Sequence, residues 1–254
     1  MRFLRFSEEL FILFSGESRY KQEAVKMKKT RKKEFCIASV LLALFAGWTV
    51  AVRFADVQAI GPLNSEVGFA TVNGFVHDFI GVNMHLYTLT DWLGLVPLFV
   101  CMGFAFFGLW QLIKRKSLFK TDRDILILGG FYVAVAAVYI FFEEVIINYR
   151  PVLIEGISEA SYPSSTTMLV MCVMPTAIMQ FNARLGNGIF KKIIIGISGI
   201  FTVFMVIGRL ISGVHWFTDI VGGALFSAGA VMMYRSLCGL YSDCRVGSVF
   251  YNVM

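Results

Sequence analysis

The sequence predicts an all-α membrane protein, a polytopic helical bundle of about six transmembrane helices. Three observations predict it. Hydrophobic residues make up 57% of the 254 residues and charged residues only 16%, against about 45–50% and about 25% in an average soluble chain. Uncharged apolar stretches recur along the chain, several of them near the roughly 20 residues that a bilayer crossing needs. The basic residues gather in alternate loops, the pattern of a chain whose Lys- and Arg-rich loops stay on one side.

The N-terminal part comes first. Residues 1–34 hold ten Lys or Arg, among them the run from Lys26 to Lys33. Beside an apolar span such a run sets topology and meets lipid headgroups. No folded basic module accompanies it, so no nucleic-acid partner is expected. The apolar stretch 3–14 contains Glu8 and Glu9, and no small-residue cleavage site follows before the basic run. Residues 1–34 therefore read as a cytoplasmic extension, partly helical or interfacial.

Six spans follow, at about 35–54, 92–113, 125–147, 163–181, 193–211 and 215–233, within a membrane domain of residues 35–235. The loop 55–91 has four acidic residues and no Lys or Arg. The loop 114–123 is basic, and the loop 184–192 carries Arg184, Lys191 and Lys192. The expected topology places both termini, including a tail of residues 236–254, in the cytoplasm. The loops at 55–91, 148–162 and 212–214 then face outward. Cys36, Cys101 and Cys172 lie in apolar spans, where Cys behaves as a small hydrophobe. Cys238 and Cys244 lie near a membrane boundary, where palmitoylation is an option. No Cys/His spacing suggests a metal site.

The residues that carry chemistry are the ionisable ones near membrane depth, which usually face the bundle interior. They are Glu143, Glu144, Arg150, Arg209, His215 and Asp219. By the expected topology all stand at the outer ends of spans three, five and six, with Pro163-Ser164-Ser165-Thr166 opening span four at the same level. His215 and Asp219 are four apart and share a helix face. A carboxylate there fixes the imidazole tautomer and leaves the other nitrogen as nucleophile or base. Guanidinium forks at Arg150 and Arg209 match phosphate oxygens, and the helix start at Ser164, Ser165 and Thr166 is an anion site. Together these make a phosphoryl-transfer constellation.

The spacing Asn148-Tyr149-Arg150-Pro151, then Tyr162-Pro163-Ser164-Ser165-Thr166, then Gly208-Arg209 with His215 and Asp219 in register, resembles the type-2 phosphatidic acid phosphatase superfamily, in its integral-membrane branch. That family's motifs are Lys-x6-Arg-Pro, Pro-Ser-Gly-His and Ser-Arg-x5-His-x3-Asp. The resemblance covers about 131–233. It implies that His215 takes the phosphoryl group as a phosphohistidine and that Asp219 orients it. It implies that Arg150, Arg209 and the amides near Ser164 and Ser165 hold the phosphate. It implies no metal and no cofactor. The implied substrates are lipid phosphates or isoprenoid diphosphates, and the implied place is a bacterial plasma membrane.

The departures are specific. The family's Lys is Glu143 here, its Gly is Ser165, its general-acid His is Thr166, and its Ser before the third-motif Arg is Gly208. A Thr hydroxyl does not give up a proton near neutral pH, and a lost general acid costs about 10²–10⁴-fold. An active enzyme is then expected to prefer diphosphates or to use another acid, with Glu143, Glu144 and Glu159 as candidates and His77 and His85 behind them. The leading reading is a membrane phosphatase or phosphotransferase. The alternative is a non-catalytic lipid-phosphate binder or carrier that reuses the pocket.

Overall fold

A computed structural model describes the backbone of residues 2–251 and the side chains of residues 25–239. Within them the regular structure is helical: α1 (Arg2–Phe54), α2 (Ala70–Ile80), α3 (Met84–Leu93), α4 (Leu95–Arg115), α5 (Arg123–Glu144), α6 (Ser165–Arg184), α7 (Ile189–Ile211) and α8 (Phe217–Tyr251). Pairing between extended segments is limited to isolated bridges such as Tyr149 with Ala160. Six stretches are long and apolar enough to cross a membrane: Val25–Phe54, Met84–Arg115, Arg123–Glu144, Ser165–Arg184, Ile189–Ile211 and Phe217–Gly239. The chain is thus a multi-pass helical membrane protein. The tail beyond residue 239, with Cys244, and most of the N-terminal extension lie outside the described side chains.

Of the boundaries that differ from expectation, two bear on the site. The second span starts at Met84, because α3 and α4 meet at Gly94 and run on as one apolar stretch. Thr88, Thr90 and Asp91 depress the hydropathy there and place the expected boundary at residue 92. In the structure the two threonine hydroxyls bond back to Met84 O and Leu86 O of their own helix, each at 2.9 Å. The segment 55–91 is therefore structured, with a 3-10 turn at Pro62–Asn64 and α2 ahead of α3. The last span starts at Phe217, which leaves His215 in the turn that precedes it.

The core sits around α6 and α8. Half or more of each of these spans is buried inside the protein, against a quarter or less of the other four. α8 packs along α1 and α6, and α6 also packs against α7. Val135, Met168, Cys172 and Phe226 form one cluster between α5, α6 and α8. Outer faces stay apolar, as at Val133 and Ile200, as lipid contact requires.

The basic loops share one end of the bundle. There Asp122 binds Arg115 (2.8 Å), Gln111 (2.9 Å) and Arg184 (3.0 Å), and Arg235 meets Glu34 at 2.9 Å. The opposite end gathers residues 55–83, 145–164 and 212–216. Asn83 N–H donates to Ser212 O (2.9 Å), and the Trp216 indole donates to Tyr149 O (2.7 Å). Gly213 makes this packing feasible. Its φ is +67°, and a Cβ there would run into the Gly81 carbonyl.

Candidate active site

The first turn of α8 sets the carboxylate. Asp219 Oδ2 accepts the Trp216 backbone N–H at 2.9 Å, the reach back to the start of the helix that a first-turn acid makes in a capping box. The negative group also sits where the helix dipole favours it. Asp219 is fully buried. Its Oδ2 stands 3.8 Å from His215 Nδ1, beyond direct hydrogen bonding. The Ser161 hydroxyl closes the gap: it donates to Asp219 Oδ2, and its oxygen lies 3.2 Å from His215 Nδ1. With its proton given to the carboxylate, the Ser161 oxygen accepts from Nδ1–H. His215 Nε2 then carries the lone pair, and this nitrogen is buried with no hydrogen-bond partner among the described residues. Burial and the positive charges of Arg150 and Arg209 push the imidazole pKa well below its ordinary value, which favours the neutral ring.

Both arginines reach the same place. Arg209, at the end of α7, is 1% exposed, and Arg150, in the loop after α5, is 9% exposed. Their guanidinium carbons lie 4.9 and 5.7 Å from the centre of one ring, that of Tyr87 on α3. Arg209 Nη2 stands 3.3 Å from Asp91 Oδ1 and Nη1 stands 3.4 Å from Thr90 Oγ1. Arg150 Nε stands 3.1 Å from Glu159 Oε2 without a hydrogen bond between them. Arg209 Nε and Arg150 Nη1 are buried donors with no partner among the described residues. A buried polar group left unpaired costs about 1–3 kcal/mol, more when charged. These donors are therefore built to meet an acceptor, and a phosphate oxygen suits a guanidinium fork best.

Residues 164–166 open α6 beside them. Ser164 is the N-cap, its hydroxyl accepting from Thr167 N–H at 3.5 Å. Its own N–H donates to Asp219 O at 3.1 Å, which ties α6 to α8. The Ser165 and Thr166 amides belong to the turn whose N–H groups have no acceptor within the helix. Glu143 and Glu144 are exposed, and Glu143 faces Tyr139. Arg150 pairs with Glu159, not with Glu143. His77 packs its ring 5.4 Å from that of Trp216, and His85 is exposed.

Gly208 has a steric reason. A Cβ at this position would lie 2.9 Å from the Thr90 side chain, closer than real Cβ contacts allow. The close pass of α3 over α7 is what brings Thr90 and Asp91 onto Arg209. Sequence reasoning missed Ser161, Tyr87, Thr90 and Asp91. Ser161 stands two residues before Pro163, immediately ahead of the motif stretch that starts at Tyr162, and that adjacency is the one signal for it. The α3 residues gave a weaker signal, a Tyr, Thr, Asp set spaced i, i+3, i+4 on one helix face.

Residues 141–238 match the sequence profile of the PAP2 superfamily. No curated protein matches the chain in sequence. In fold it is similar to a crystal structure described as the first transmembrane PAP2 type phosphatidylglycerolphosphate phosphatase, from Bacillus subtilis. The identity is 20%, the TM-score 0.54, and the match covers 81% of this chain and 96% of that one. Both arginines, Ser161, Ser164 to Thr166, His215 and Asp219 lie inside the matched 141–238 segment. Tyr87, Thr90 and Asp91 lie outside it.

Proposed function

We propose, from the match of residues 141–238 to the PAP2 superfamily, that this membrane protein is a phosphatase or phosphotransferase for a lipid phosphate or an isoprenoid diphosphate. His215 Nε2 attacks phosphorus in line and forms a phosphohistidine, which water or an acceptor hydroxyl resolves. Asp219, acting through Ser161, holds the ring and stabilises its positive charge as the P–N bond forms. Arg150, Arg209 and the Ser165 and Thr166 amides take up the charge on the phosphoryl oxygens. Substrate is drawn from the leaflet at the site's end of the bundle, which on the basic-loop argument is the outer leaflet.

One observation carries the reading. A nucleophile-competent His215 Nε2 and unpaired guanidinium donors of Arg150 and Arg209 are buried together at one membrane end. A carrier that only binds the phosphate would need the arginines but not a buried neutral imidazole aligned by a hydroxyl–carboxylate pair. The experiment is phosphate release from a polyprenyl diphosphate and from phosphatidic acid by the full chain in detergent micelles. The wild type is expected to turn over at least one substrate and His215→Ala neither, with a loss of at least about 10³-fold. Equal rates for the two proteins reject the enzymatic reading. Saturable binding weakened by Arg209→Ala, with no turnover by the wild type, replaces it with the carrier reading.

A further inference from the structure

Attack from the buried floor leaves an open chemical question. In an in-line displacement the leaving oxygen departs on the side opposite the nucleophile. His215 is 4% exposed, so the leaving oxygen departs away from the buried ring, toward the more exposed side of the site. An alkoxide that leaves there needs a proton as the bond breaks. Thr166 cannot supply it. Glu143 and Glu144, though exposed, make no ion pair with Arg150 or Arg209 among those described. Two carboxylates do touch the arginines: Glu159 at Arg150 and Asp91 at Arg209.

The two differ in what holds them. Glu159 and Arg150 are joined through the backbone, Arg150 N–H donating to Glu159 O at 3.0 Å. Glu159 therefore belongs to the frame that positions Arg150. Asp91 comes from a separate helix. Tyr87, Thr90 and Asp91 share one face of α3, and all three are turned to the guanidinium groups. The Asp91 side chain is 58% exposed where the arginine it touches is 1% exposed, so the carboxylate stands at the mouth and not at the floor. The α3–α4 joint just beyond it packs against α6 at Thr166: a Cβ on Gly94 would lie 2.9 Å from Asp91 O and 3.7 Å from Thr166 Cγ2.

We infer that Asp91 is the general acid and base of this site, a catalytic residue supplied by α3 in place of one at the start of α6. The inference rests on the phosphatase reading above. A phosphate monoester exchanges its second proton near pH 6, so the monoanion is available at neutral pH. Its P–OH proton bonds to the Asp91 carboxylate. As the P–N bond to His215 Nε2 forms and the ester P–O bond breaks, Asp91 takes up that proton and hands it to the departing alkoxide, which leaves as the alcohol. His215 keeps its Nδ1 proton, shared toward Ser161 and Asp219. In the second half Asp91 accepts a proton from the attacking water, the P–N bond breaks, and the proton goes to the phosphate that leaves. Charge and protons balance in both halves, with neither metal nor co-reactant.

The test compares leaving groups. The full chain in micelles is assayed with an alkyl monophosphate lipid and with p-nitrophenyl phosphate, whose phenolate leaves without a proton. Asp91→Asn is expected to lower the ratio of alkyl to aryl turnover by about 10²–10⁴-fold, and Asp91→Glu to recover most of that ratio. Glu159→Gln is expected to slow both substrates by similar factors. If Asp91 merely props Arg209, Asp91→Asn also slows both substrates alike and the ratio holds, which overturns the assignment. A ratio that falls in Glu159→Gln but not in Asp91→Asn moves the role to Glu159. A wild type that hydrolyses neither of these nor a polyprenyl diphosphate, or a His215→Ala protein as fast as the wild type, overturns the phosphatase reading itself and Asp91 with it, whereas a wild type that hydrolyses the diphosphate alone overturns the Asp91 assignment alone. A ratio that holds in Asp91→Asn while His215→Ala is inactive overturns the Asp91 assignment alone.

Discussion

The Ser161 hydroxyl, 54 residues upstream of His215, joins an imidazole and a carboxylate that do not reach each other directly. Its place in a buried loop, 2% exposed, gives it one geometry, and its single proton orders the direction of the whole chain of bonds. Replacing it should act on turnover more than on binding, because it makes no hydrogen bond to Arg150 or Arg209, the proposed phosphate-binding groups, among the described residues. Ser161→Ala is expected to lower kcat by about 10–100-fold with KM changed little, the size of one lost buried hydrogen bond. Ser161→Thr keeps the hydroxyl and should retain most of the rate. Steady-state kinetics on both variants decide this; a KM increase without loss of kcat contradicts the linking role. The i, i+4 spacing of His215 and Asp219 was legible in the sequence. The serine was not, because a loop has no periodicity that says which of its residues points inward.

At the scale of helices, the site depends on how three ends are pinned. α8 starts where Asp219 meets the Trp216 N–H, α6 starts where Ser164 N–H meets Asp219 O, and α3 is anchored by Asn83 on Ser212. At the other end of the bundle Asp122, the N-cap of α5, pins the ends of α4 and α6. Burial works against its ionised form, but hydrogen bonds from Arg115, Gln111 and Arg184 outweigh it and bring the pKa down from 3.8 to about 2. A carboxyl with a lowered folded-state pKa stabilises above its unfolded value and loses that contribution as the pH falls through the folded one. The thermal stability gap between the wild type and Asp122→Asn is therefore expected to be constant from neutral pH to about 4 and to close as pH approaches 2. Its size is on the order of 1 kcal/mol. Unfolding curves in micelles across that range test it; a gap of the same size at pH 2 as at pH 7 contradicts the network. The basic residues of these loops were plain in the sequence, but their convergence on one acid was not.

For the whole molecule, the two ends of the bundle have opposite characters. One carries the basic loops and the Asp122 network, and the other carries Arg150 and Arg209 with Tyr87, Thr90 and Asp91 of α3 against them. By the charge rule the first end is expected on the cytoplasmic side. Ile157, in the loop that holds Arg150, and Phe119, in the basic loop, are both well exposed and report the two ends. In intact cells a membrane-impermeant thiol reagent is expected to label Ile157→Cys above the wild-type background, and Phe119→Cys only after permeabilisation. The reverse pattern inverts the molecule and places the substrate in the inner leaflet.

Composition and charge alone determined that this chain crosses a membrane about six times, because hydropathy and the placement of Lys and Arg are properties of contiguous segments. The spacing of Arg209, His215 and Asp219 was likewise readable, but no common helix face joins them: Arg209 lies in the last turn of α7, His215 in the turn that follows and Asp219 in the first turn of α8. The boundaries at Met84 and Phe217 were not readable, because polar residues that face a site look the same to hydropathy as polar residues that face water. The partners of the arginines, Tyr87, Thr90, Asp91 and Glu159, were decided by tertiary structure. Contacts between α3, α7 and the loop 148–162 join segments about 60 to 120 residues apart, and a buried cation takes whichever carboxylate or ring the fold brings to it.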